Sequence, residues 1–127
     1  KILLGWNALT VAALARGYEA TRHAAYREDA IRLMQYLLRT FPTDDGKALY
    51  RVATQGQVHH PALLQDYAFF IQALVATYRV TWDIFWLKQA LEWAEKAMEQ
   101  FADPDGALFF LNPSWQRDLL VRTKETH

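Results

Sequence analysis

The sequence predicts an all-α chain built as two inner–outer α-hairpins of an α/α toroid, with short β-hairpin insertions. Three observations carry that expectation: a repeat sixty residues long, two helices apolar on nearly every side, and two apolar along one stripe. Shifted by sixty residues, positions 6–50 align with 66–110, and nine of the 45 pairs are identical; composition alone gives about three or four. The identities include Ala13/Ala73, Leu14/Leu74, Tyr18/Tyr78, Thr21/Thr81 and the dipeptides Asp45-Gly46/Asp105-Gly106.

In chain order, the first helix is expected over about 6–20, and its counterpart over about 62–80. In the latter, Leu63, Leu64, Tyr67, Phe69, Phe70, Ile71, Leu74, Val75 and Tyr78 leave little polar face, so neighbours must cover most of it. Each is followed by an amphipathic helix. Tyr26, Ala30, Leu33, Met34, Leu37 and Phe41 recur at spacings of three and four, as do Trp86, Ala90, Trp93, Ala97 and Phe101. Charged residues fill the other face, with Glu92 and Lys96 at a favourable i,i+4 spacing. Buried and half-buried helices in alternation are what a toroid needs, whereas a simple four-helix bundle would show four similar stripes.

Pro61 suits the first turn of the second inner helix, where its missing N–H removes no intrahelical bond. The Asp-Gly pairs mark turns. Residues 48–52, 107–111 and 119–122 read as short strands, the last two as a hairpin across Asn112-Pro113-Ser114. The repeat units are therefore about 1–60 and 61–127. Two hairpins cannot close a ring, so the chain is expected to be a partial barrel domain whose open flanks self-associate or meet the remaining hairpins of a longer protein.

Composition narrows the function. Apolar residues make up 52% of the chain, and fourteen basic residues balance fourteen acidic ones, so no field attracts nucleic acid or an anionic membrane. There is no cysteine, which excludes disulfides, thiolate metal sites and thiol chemistry within these residues. Apolar stretches such as 67–80 are too short and too interrupted to span a bilayer. Lys1 at the start and the absence of a leader pattern in residues 1–7 suggest an internal start, in a cytoplasmic protein.

Candidate site residues come from the mouth of the toroid, where inner helices begin. The repeat pairs Trp6 with Asp66 and Asn7 with Tyr67, so equivalent mouth positions differ while framework positions agree. One reading makes Asp66 catalytic and Trp6, Asn7 and Tyr67 substrate-binding. The other makes Asn7 a helix cap, Asp66 a partner of nearby amides, and the two aromatics core residues with a polar handle. Phe109, with Phe110 and Trp115, could stack on the C–H face of a sugar or pack in the core. Arg122 and Lys124 could bind an anion or simply face water.

Gln55, Gln57, His59 and His60 fall on the connection into the second inner helix, with His60 near its cap. Adjacent histidines without an i,i+4 partner do not make a metal site, and neither a metal nor a cofactor is expected. Glycoside hydrolysis ordinarily needs two carboxylates. Asp105 reads as a turn residue and Asp118 is of uncertain place, so Asp66 would need a partner from hairpins beyond this chain.

The segments KILLGWNAL at 1–9, HPALLQDYAF at 60–69 and LLVRTK at 119–124 resemble, in order and spacing, the family that joins an N-terminal thioredoxin-like domain to a six-hairpin α/α barrel. These are the thioredoxin domain-containing or spermatogenesis-associated proteins. The resemblance implies that the chain is part of an (α/α)6 barrel similar to N-acylglucosamine 2-epimerases and six-hairpin glycosidases, with a sugar or other small molecule as ligand. It implies a thioredoxin-like domain as a covalent partner, and it places the family's blocks on Trp6 and Asn7, on Asp66 to Phe69, and on Val121, Arg122 and Lys124. Ala8 stands where the family has Gly, Gln65 where it has the first of two Asp, and Thr123 where it has Pro. The loss of a carboxylate at Gln65 weighs against acid–base catalysis at this end. A non-catalytic scaffold serving the attached domain is the alternative function.

Overall fold

The structure, a computed structural model, describes residues 1–102. The expected strands at 107–111 and 119–122, the Asp105-Gly106 turn and the candidates Phe109, Arg122 and Lys124 lie outside the described residues. The described chain runs β1 (Ile2–Leu3), α1 (Leu4–Thr21), α2 (Ala24–Thr40), β2 (Tyr50–Thr54), β3 (Gln57–Pro61), α3 (Leu64–Thr81) and α4 (Ile84–Phe101). The inner helices α1 and α3 therefore begin and end sixty residues apart. Among the described residues no helix is long and apolar enough to cross a membrane.

The repeat extends to the way the inner helices stop. Neither has a glycine at its C-terminus; Arg22 (φ 61°) and Trp82 (φ 58°) take the left-handed conformation instead, at a cost of about 1–2 kcal/mol for a residue with a Cβ. Both donate their backbone N–H to a tyrosine carbonyl four residues back, Tyr18 and Tyr78, at 2.7 Å. Both side chains then fold onto that tyrosine. The Arg22 guanidinium lies 5.2 Å from the Tyr18 ring centre, and the Trp82 and Tyr78 rings meet edge-on at 5.4 Å. Thr21 and Thr81 complete each corner, donating to the carbonyls of Gly17 and Thr77 and accepting from the next helix's leading amide. The identical Tyr and Thr of the repeat are thus the corner residues.

Packing follows the amphipathic stripes. α2 buries Ala30, Met34 and Leu37, while α4 buries Trp86, Ala90, Trp93, Ala94 and Ala97. Tyr26, expected in the buried stripe, is 40% exposed; its ring lies over Gly17, where an added Cβ would sit 3.4 Å away. Between α3 and α4, Tyr67 and Phe101 meet at 5.3 Å and Phe70 and Trp93 at 5.6 Å. Such aromatic contacts contribute beyond the area they bury.

The sheet is where the sequence-based expectations needed correction. β2 starts at Tyr50 rather than at 48, because Leu49 bridges back to Pro42 and gives its amide to Tyr67. β3 was expected to be a connection, yet it pairs with β2 antiparallel, Val52 opposite His59. Gln55 (φ 49°) and Gly56 (φ 80°) form the two-residue turn between them, the pattern whose twist suits a hairpin. Pro61 ends β3 on the sheet's edge instead of opening α3, and His60 belongs to that strand rather than to a helix cap. β1 pairs with the other side of β2. One strand therefore holds together the segments that lead into both inner helices.

Candidate functional site

Asp66 sits in the first turn of α3, two residues inside its start, and its Oδ2 accepts the Leu63 amide at 2.8 Å. This satisfies one of the unpaired N–H groups at the helix start and places negative charge where the helix dipole favours it. The same oxygen lies 3.6 Å from Nε of Arg51, which projects from β2. The carboxylate is nearly buried, whereas about half of the Arg51 side chain is exposed. Within hydrogen-bonding distance, no described residue donates to the other oxygen, Oδ1.

Oδ1 faces α1 at Gly5. A Cβ there would come within 3.1 Å of it and 3.4 Å of the Phe69 ring, so glycine is what lets α1 approach the carboxylate so closely. One residue on, the indole of Trp6 is 70% exposed. Together these residues line an open cleft of about 310 Å³. Its lining consists of equivalent pairs of the repeat, Gly5/Gln65, Trp6/Asp66 and Leu9/Phe69, closed by Leu3 and Arg51. The two inner helices thus present the same three turn positions to one concavity, one supplying an aromatic face and the other a fixed carboxylate.

The other candidates are placed differently. Tyr67 is 1% exposed and points into the core, a helical step of about 100° from Asp66. Its hydroxyl accepts the Leu49 amide at 3.0 Å. Burial pushes this phenol above its ordinary value; the Leu49 bond opposes the rise and the Asp66 charge adds to it. Asn7 spends its side-chain amide on the Leu3 carbonyl at 2.8 Å and does not line the cleft. Trp6, conversely, is no core aromatic. Of the expected mouth residues the structure brings together Trp6 and Asp66, and it turns Asn7 and Tyr67 away.

His59 pairs with the Thr54 hydroxyl at 3.1 Å and stacks edge-on against His60. Among the described residues no three His, Asp or Glu side chains are grouped as metal ligands would be. Sequence reasoning missed Gly5 and Arg51. Alternation along 50–54 held a signal for Arg51, since Tyr50 and Val52 share the face opposite to it.

No family model matches the chain. An uncharacterised protein of Caenorhabditis elegans is 28% identical over 132 residues, a match that takes in 98% of this chain and 18% of that protein. The structure of a GH76 α-mannanase from Bacteroides thetaiotaomicron is similar with a TM-score of 0.76 at 19% identity, over 94% of this chain and 35% of the mannanase chain. The chain thus spans less than two-fifths of either protein it resembles. What the likeness shows is the fold, that of two inner–outer α-hairpins of an α/α barrel, with a short β-hairpin between them.

Proposed function

We propose that this chain belongs to a carbohydrate-binding or carbohydrate-active α/α barrel, and that the cleft between Trp6 and Asp66 is part of its sugar site. The observation that carries this reading is the pairing itself: an exposed indole face and a fixed carboxylate from equivalent positions of adjacent inner helices. An indole suits the C–H face of a pyranose, and a carboxylate with an uncommitted oxygen suits its hydroxyls. The fold it shares with an α-mannanase makes mannosides the first ligands to test. Catalysis would need a second carboxylate. Among the described residues that line the cleft Asp66 is the only acid, so the second would come from other hairpins, and the family in which a thioredoxin-like domain precedes the barrel remains the reading of its wider context.

The test is calorimetric titration of the protein with mannose oligosaccharides and a panel of neutral glycosides. Trp6→Ala and Asp66→Asn should each weaken binding about fivefold to tenfold; Asn keeps an acceptor for the Leu63 amide, and Trp6 is exposed, so both variants should fold. Binding that neither substitution alters, or no binding at all, would remove the reading. The exposed apolar pair Trp6 and Leu9 favours one alternative, a scaffold that holds clients for an attached thioredoxin-like domain. Client capture lost in Trp6→Ala, with no response to any sugar, would select it.

A further inference from the structure

We propose that the ligand of this cleft carries a carboxylate, as an acidic sugar does, and that Arg51 is the residue that selects it. The inference rests on the reading of the cleft as a sugar site and adds the ligand's charge. Arg51 lines two adjoining concavities: the cleft of Trp6 and Asp66, and a second one of about 490 Å³ shared with Lys1 and His60. They differ in charge. The first contains Asp66, whereas the second has Lys1, Arg51 and His60 on an apolar floor of Leu3, Val52 and Pro61 and, among the described residues, no acid. In a chain of zero net charge, that is a local separation of sign across one guanidinium.

The geometry of Arg51 suits it to both sides. Nε faces Asp66 at 3.6 Å, and among the described residues no acceptor engages the two terminal nitrogens. A guanidinium tethered in this way presents a planar donor fork that matches a carboxylate, and part of its ordering cost is already met before the ligand arrives. His60 adds a second observation. Its backbone is left-handed at φ 63°, a conformation that side-chain-bearing residues rarely adopt, and its ring is exposed on the edge strand beside the recess. A pyranose lying on Trp6 with hydroxyls toward Asp66 would direct its carboxylate across Arg51 into the basic recess.

The experiment compares methyl α-mannoside with methyl α-mannuronide by calorimetry on the protein, at low salt and at high salt. The uronide is expected to bind about tenfold more tightly, with a preference that shrinks as salt rises and disappears in Arg51→Gln. The double variant Lys1→Gln/His60→Gln leaves the Arg51–Asp66 pair in place and should reduce the preference, which keeps the test decisive if Arg51→Gln misfolds. Equal binding of the two glycosides would overturn the inference while leaving the sugar site standing. A preference that survives Arg51→Gln would overturn the role of Arg51. Binding of neither glycoside would overturn the sugar site and the inference together.

Discussion

The inner helices α1 and α3 occupy the same place in two copies of one unit, with the same length, the same left-handed stop and the same tyrosine beneath it, yet they are buried differently. α3 has α1 on one flank and α4 behind it, and it buries Asp66, Phe70, Ala73, Thr77 and Val80. The equivalent residues of α1, namely Trp6, Thr10, Ala13, Gly17 and Ala20, form its open side: Trp6, Thr10, Ala13 and Ala20 are exposed and Gly17 is half-buried. Hydropathy alone would assign these roles the other way, since the tryptophan is outside and the aspartate inside. An inner helix is therefore defined by its neighbours, and the same position becomes core in one copy and a free face in the other.

The pair Thr10 and Phe70 gives that comparison its largest consequence. Phe70 is fully buried against Trp93, and Phe70→Ala should cost about 3–5 kcal/mol through lost burial and a residual cavity. Thr10→Ala should change stability by less than about 0.5 kcal/mol, since its hydroxyl bonds only the Trp6 carbonyl on an exposed turn. Urea denaturation of both variants measures the difference. Similar losses at the two positions would mean that the open side of α1 is covered.

How the sequence spoke to these features depended on the range of the interaction. The sixty-residue period foretold both hairpins in register and paired Trp6 with Asp66, because helices and their corners are built from contacts within four residues. Arg51 escaped notice because its role needs β2 to lie between the segments that lead into α1 and α3, a pairing between residues about fifty apart at β1. β3 was hidden for a local reason: Gln57-Val58-His59-His60-Pro61 has little β-branched character and ends in proline, so tertiary pairing outweighed propensity. Tyr67 looked like a mouth residue because position along a helix is legible in a sequence, whereas the direction a side chain takes follows from which neighbours are present.

The pair Trp6 and Asp66 sharpens the comparison further. If the open side of α1 is a vacant inner-helix flank, the chain should self-associate through it at high micromolar concentration, and Trp6→Glu should weaken association by about 2 kcal/mol, some thirtyfold. Sedimentation equilibrium over a range of concentrations reads this directly. A monomer throughout, or a variant that associates as the parent does, would show that the flank tolerates water.

The smallest effect comes from Asn7 and Tyr67, and it appears in the pH dependence. The buried phenol of Tyr67 titrates above its ordinary value of 10.0, so between the unfolded and folded values the native state holds a proton that the unfolded chain has released. Its contribution to stability is complete below the unfolded value and is lost as pH rises through the folded one. Tyr67→Phe should therefore do two things. It should lower stability near neutral pH by about 1 kcal/mol, because the Leu49 amide loses its acceptor, and it should flatten the decline in stability as pH rises above the ordinary value of 10.0. Asn7→Ala, at the equivalent position of α1, should leave that alkaline slope as it is, since its amide does not titrate. Urea midpoints for the three proteins across this range distinguish the cases, and an unchanged slope in Tyr67→Phe would place the titrating group elsewhere.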